Sequence, residues 1–179
     1  MRRALISALL IVPLVAAADV VKKEDAGLRY SLPTSWLRVP APSDMRAAQY
    51  QIPASGEAAA GELVVFFFGE GQGGSADANL ERWYDQFTQP DGSASRDAAV
   101  ITKRTVNGLR ITQLDLSGSY AASPRMGATA GAKPGTRMLA AVIEGTGGPW
   151  FLRAVGPIET ITGAKDAFDA MLLSLDTHR

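Results

Sequence analysis

Hydrophobic and polar positions divide the chain into short alternating pieces, one continuous apolar run and two helical stripes. Leu28-Arg29-Tyr30-Ser31-Leu32 alternates with period two and stops at Pro33, as a half-buried strand does. Residues 36–39 form a second short piece closed by Pro40 and Pro42, and 45–52 a third, before an Ala/Gly/Ser-rich loop over 53–61. Leu63-Val64-Val65-Phe66-Phe67-Phe68 is different, because it has no polar face at all. Such a strand belongs in the middle of a sheet with a layer above and a layer below.

Two segments can supply those layers. Over 75–87, Ser75 is a good N-cap, Asp77 suits the first turn, and Leu80, Trp83, Tyr84 and Phe87 recur at i, i+3, i+4, i+7. Phe168, Met171, Leu172 and Leu175 repeat the helical stripe near the end, with Thr162 as the expected cap. Between them lie two hairpins. Residues 100–106 and 109–120 flank Asn107-Gly108, a strong type I′ turn signal, and 138–144 joins 150–155 through Gly145-Thr146-Gly147-Gly148. In the first hairpin Ile101, Leu114 and Leu116 share one face, while Val106, Leu109 and Ile111 share the other. A bulge or strong twist is expected there, so that tip and base cover different layers. The long Ala/Gly/Pro connection over 121–136 is expected to be a flap, a disordered segment or a tolerated insertion. Arg125, Lys133 and Arg137 make it a candidate partner-contact loop.

The start of the chain bears on location. Met1-Arg2-Arg3, an apolar run from Ala4 to Val15 and Ala16-Ala17-Ala18 have the order of a secretory signal peptide, with cleavage expected between Ala18 and Asp19. The run is short for a membrane span, although an uncleaved anchor is the alternative, and Arg2-Arg3 leaves both general and twin-arginine export open. With no cysteine, lipoprotein modification and disulfides are excluded. Removing 18 residues from 179 leaves 161, enough for a single core. The 18 basic and 18 acidic residues balance, and loss of the leader's two arginines shifts the balance to −2. No basic field exists for nucleic acid.

Candidate chemistry is sparse. Gly69-Glu70-Gly71-Gln72-Gly73-Gly74 formally matches the dinucleotide fingerprint, but no second apolar strand with a terminal acid follows. A plain strand-to-helix turn is the simpler reading, with Gly71, Gln72, Gly73 and Gly74 as a candidate anion-binding turn. The only histidine, His178, is penultimate, so histidine-based catalysis and zinc are set aside. The oxygen-rich stretch 91–97 does not follow the EF-hand loop. Asp77, Glu81 and Asp85 read as a solvated helix face, although paired carboxylates for a hydrolase need only the right separation. Trp36 and Trp150 are candidate surface aromatics, with burial at the core edge as the alternative, and Trp83 falls on the apolar stripe. No catalytic set, metal or cofactor is expected.

The order of pieces, the Leu32-Pro33-Thr34-Ser35-Trp36 turn, and the ending Trp150-Phe151-Leu152-Arg153, Gly156-Pro157, Phe168, Met171-Leu172 and Leu175 resemble the PsbP-like α/β/α sandwich. That family includes the extrinsic photosystem II protein P, the Ran-binding Mog protein and small exported bacterial proteins, the branch this chain resembles. The resemblance implies an accessory or adaptor role rather than an enzyme. The plant protein's metal-binding His/Asp set has no counterpart, since His178 stands alone. The expected architecture is α+β, an antiparallel sheet sandwiched between helices. The expected division is a leader over 1–18, a flexible tether over 19–27 and one domain over 28–179. The expected function is an exported accessory protein binding another envelope protein. Alternatives are a small-ligand-binding protein of the periplasm and a carboxylate-dependent hydrolase.

Overall fold

The run from Leu63 to Phe66 offers water nothing polar, and the chain covers both sides of the sheet that holds it. The computed structural model describes residues 19–122 and 131–177; the expected leader, Arg125 and His178 lie outside the described residues. The elements are β1 (Val20–Asp25), β2 (Leu28–Pro33), β3 (Leu37–Arg38), β4 (Arg46–Ile52), β5 (Gly61–Phe67), α1 (Ala76–Tyr84) and β6 (Phe87–Thr88). Then follow α2 (Ser95–Ala98), β7 (Val100–Val106), β8 (Leu109–Tyr120), β9 (Lys133–Glu144), β10 (Trp150–Pro157), α3 (Ile158–Leu173) and β11 (Asp176–Thr177). One antiparallel sheet runs β3-β4-β5-β10-β9-β8-β6, with β7 also on β8, and a smaller one runs β1-β2-β11. The architecture is α+β with the large sheet sandwiched, as expected.

Strand parity sorts the core into two layers, because successive side chains point to opposite faces. Leu63, Val65, Leu139, Ala141, Ile143 and Leu152 face α3 and the small sheet. Val64, Phe66, Met138, Ala140, Val142 and Phe151 face α1. Phe168, Met171 and Leu172 of α3 are fully buried, each contributing about 1.5–3 kcal/mol by leaving water. Ser75 caps α1 as expected, its side chain accepting from the Ala78 N–H.

Several expectations are corrected. The 19–27 segment is no tether: β1 pairs with β2 from Val20↔Pro33 to Asp25↔Leu28. Its charges belong to an edge strand, where outward Lys and Glu are tolerated and discourage further pairing. Thr162 does not cap α3, because β10 runs directly into the helix and Pro157 takes the cap position. The fixed φ of proline suits that entry. Part of the supposed 121–136 loop is strand, since β9 begins at Lys133. The Asn107-Gly108 turn has both φ values positive (50° and 83°), as a type I′ turn requires. No bulge interrupts its β7–β8 ladder. The apolar pattern changes face because two layers share the strand: Leu109 and Ile111 meet the α3-side core, Leu114 and Leu116 the α1-side core. Ile101 lies opposite Leu114 but remains exposed.

A buried polar cluster joins the small sheet to β4. Asp25 accepts from the Tyr30 hydroxyl at 2.5 Å, the Tyr50 hydroxyl at 3.2 Å and Arg38 Nη2 at 2.7 Å. The two tyrosine oxygens are 3.0 Å apart. Burial, reinforced by the hydrogen bonds around Asp25, pushes the Tyr30 phenol far above the ordinary tyrosine range. Burial likewise raises Tyr50. Phenols raised in the folded state contribute stability that is complete below their unfolded value of about 10 and is lost as pH climbs beyond it. Urea-unfolding free energy should therefore hold steady through neutral pH and fall above about pH 10. The Tyr30→Phe/Tyr50→Phe double variant should flatten that fall; an unchanged slope would assign it to other groups.

The β1–β2 turn gives a second prediction. Ala26 and Gly27 have φ of 50° and 76°, and the Ala26 carbonyl accepts from Trp150 Nε1 at 2.8 Å. A left-handed alanine is strained by roughly 1–2 kcal/mol, which asparagine tolerates better. Ala26→Asn should raise the unfolding free energy by about 0.5–1 kcal/mol in urea titration; a loss of stability would contradict strain at this position.

Candidate functional site

A cleft of about 630 Å³ opens on the α1 face of the large sheet. It exists because the covering helix is short. At nine residues, α1 spans about 14 Å, whereas the twelve-residue strands β8 and β9 run about 40 Å. Among the described residues, one end of the sheet face is left open. Its walls come from β4 (Arg46, Gln51), β5 (Glu62), β10 (Arg153, Val155, Pro157) and the facing ends of β8 and β9 (Tyr120, Lys133, Thr136). Strand register sets these side chains: Glu62 lies opposite both Gln51 and Val155, and Arg46 lies opposite Phe66.

Positive charge dominates the cleft. Arg46 Nη1 donates to Glu62 Oε1 at 3.2 Å and to Gln49 Oε1 at 2.9 Å, and Gln49 Nε2 donates to Glu62 Oε2 at 2.7 Å. Arg153 is only 6% exposed, and burial pulls its guanidinium below the usual arginine range. Arg153 Nη1 lies 3.4 Å from Gln86 Oε1. The Arg153 and Arg46 guanidinium carbons stand 5.4 Å and 5.7 Å from the centroid of the same Phe66 ring. With Lys133, three cations meet a single lining carboxylate, Glu62, among the described residues. This arrangement can hold an anion. It does not assemble a pair of carboxylates among the described residues, and none of those residues form a metal-ligating cluster of three His, Cys, Asp or Glu.

The residues singled out in the sequence fall in different places. Lys133 lines the cleft, but Arg137 lies across the sheet, donating to both Asp115 oxygens at 2.8 and 2.7 Å and to Thr162 Oγ1 at 2.8 Å. Arg137 is therefore tied into the α3 side, and Arg125 lies outside the described residues. In the Gly69–Gly74 turn, the Gly71 N–H donates to Gly148 O and the Gln72 N–H to Gly69 O. Gly73 has φ 93°, and a Cβ there would sit 2.4 Å from the Phe151 ring. Close packing against β10 accounts for this glycine. Trp36 and Trp150 are buried, at 6% and 1% exposure, so neither offers a surface platform. Burial pays because Trp150 stacks on Phe67 at 5.9 Å and its N–H is satisfied by Ala26. Asp77, Glu81 and Asp85 are exposed, and Glu81 pairs with Arg96.

Arg46 and Arg153 escaped notice in the sequence. The available signal was a lone arginine inside the apolar run Trp150-Phe151-Leu152-Arg153-Ala154. A charge with apolar neighbours on both sides in a central strand needs a reason.

No protein-family model and no curated protein matches the chain. Solved structures do. The solution structure of cyanobacterial PsbP (CyanoP) from Synechocystis sp. PCC 6803 is similar with a TM-score of 0.56 at 14% identity, covering 95% of this chain and 99% of that one. A Pseudomonas aeruginosa protein of unknown function, suggested to be a regulator, is similar with a TM-score of 0.51 at 12% identity, covering 89% and 98%. At such identities the likeness concerns architecture. The chain has the PsbP-like fold.

Proposed function

We propose that this chain is an exported, non-enzymatic accessory protein that binds another protein of the cell envelope through the cleft on the α1 face. The observation carrying this reading is the open, cationic end of the α1 face, lined by Arg46, Lys133 and Arg153. α1 on one face and α3 with the small sheet on the other cover the central strands, while the edge strand β7 stays exposed. The cleft combines shaped surface with unbalanced charge beside the covered core. The leader-like start supports export, and no helix among the described residues is long and apolar enough to cross a membrane. A small-ligand carrier is the second reading, favoured by a cleft volume within the range of small-molecule sites.

A photo-crosslinking residue placed at Gln51 or Lys133, in the tagged protein expressed with its own leader, tests the first reading. The expected outcome is one dominant envelope protein captured from the cleft positions and absent when the probe sits at exposed Val100 on β7. Equal capture from all positions, or none from the cleft in a folded protein, would remove the accessory reading.

A further inference from the structure

Strand β7 is paired along one edge only. It lies on residues 109–115 of β8, and among the described residues no strand pairs with its other edge. Hairpin geometry decides which backbone groups that free edge presents. The two-residue Asn107-Gly108 turn makes Val106 and Leu109 a hydrogen-bonded pair, and such pairs alternate along an antiparallel ladder. Val106, Arg104, Thr102 and Val100 therefore direct their N–H and C=O groups at β8, whereas Thr105, Lys103 and Ile101 turn theirs outward. Side chains shape the edge further. Val100 and Ile101 are exposed at 62% and 37%, and Lys103 is exposed beside them. Lysine on an edge discourages pairing with any strand that sets a cation opposite it.

A second β7 satisfies this condition in one extended register. Outward-facing residues must pair with outward-facing residues, so the two-fold axis of such a pair passes through a strand residue. An axis at Lys103 sets Lys103 against itself, and an axis at Arg104 does the same to Arg104; like charges directly opposite are destabilising. An axis at Ile101 or Thr105 leaves only the end of each strand paired. With the axis at Thr102, Lys103 lies opposite Ile101 of the other copy, Arg104 opposite Val100, and Thr102 opposite Thr102. The aliphatic stems of both cations then cover the exposed apolar residues, and a Thr–Thr pair is favourable across strands. We propose that two copies of this chain pair antiparallel through β7 about Thr102, continuing the large sheet from one molecule into the next. The contact is independent of the cleft, which takes Tyr120 at the far end of β8.

The contact is short, so association should be weak, with a dissociation constant of roughly 10–500 μM in sedimentation equilibrium of the purified protein. The chain has no cysteine, which lets single-cysteine variants read the register directly. In a non-hydrogen-bonded antiparallel pair the Cα atoms lie about 4.5 Å apart, within reach of a disulfide. Under mild oxidation Thr102→Cys should form a disulfide-linked dimer. Thr105→Cys, about 20 Å from its copy in this register, should do so at least roughly tenfold more slowly. Charge gives a second test at Ile101, opposite Lys103. Ile101→Glu and Ile101→Lys remove the same apolar contact, yet the glutamate form should associate at least about fivefold more tightly than the lysine form. A photo-crosslinking residue at Val100 should accordingly capture the chain itself and no envelope partner. A protein that stays monomeric at roughly 1 mM, crosslinking as fast at Thr105 as at Thr102, or equal association of the two Ile101 variants would each overturn the proposal.

Discussion

The central strands are apolar on both faces, and everything else follows from covering them. β5, β10 and β9 carry Leu63, Val64, Val65, Phe66, Leu139, Ala140, Ala141, Val142 and Leu152 at 6% exposure or less. A single covering layer would leave half of these in water, at about 25 cal/mol for each Å² of apolar surface. The α3 side is covered generously, by a sixteen-residue helix and the small sheet. The α1 side is covered by nine residues. Among the described residues the open cleft is the remainder of that inequality, and polar residues line it where no described helix reaches them.

This constraint also explains what the sequence disclosed. The six-residue apolar run announced a two-sided strand, the stripe at Leu80, Trp83 and Tyr84 announced α1, and Asn107-Gly108 announced its turn. These signals are local, each readable from neighbours in the chain. β1 was illegible because Val20-Val21-Lys22-Lys23-Glu24-Asp25 looks solvated; its pairing with β2 and the burial of Asp25 depend on Tyr50 and Arg38 from elsewhere. β11 and β6 are two residues each, too short for any period. The cleft was illegible for a related reason. Arg46, Glu62, Lys133 and Arg153 are distant in sequence, and only the order β4-β5-β10-β9 brings them to one face.

Trp36 and Trp150 show that a setting which suggests a surface contact can serve burial instead. Trp150 follows a glycine-rich turn, a setting that suits a surface contact. Gly148 instead lets the ring lie close, since a Cβ there would be 2.6 Å from it. The small residues that suggested exposure are what permit the ring to be buried. The same holds in the strand-to-helix turn, where Gly73 yields space to the Phe151 ring.

The arrangement β1-β2-β11 has a consequence for the history of the chain as well as its final form. β2 is flanked by the first and last described strands, and Arg29 of β2 bonds Asp176 of β11 at 2.6 Å. Leu28, Tyr30 and Leu32 of the same strand are buried in the core cluster that contains Phe168 and Met171 of α3. The opening hairpin thus has no finished surroundings until the closing helix is available. The small sheet is therefore a long-range contact, closing the chain between β2 and β11 like a clasp, and its formation carries the loop-closure cost of that separation.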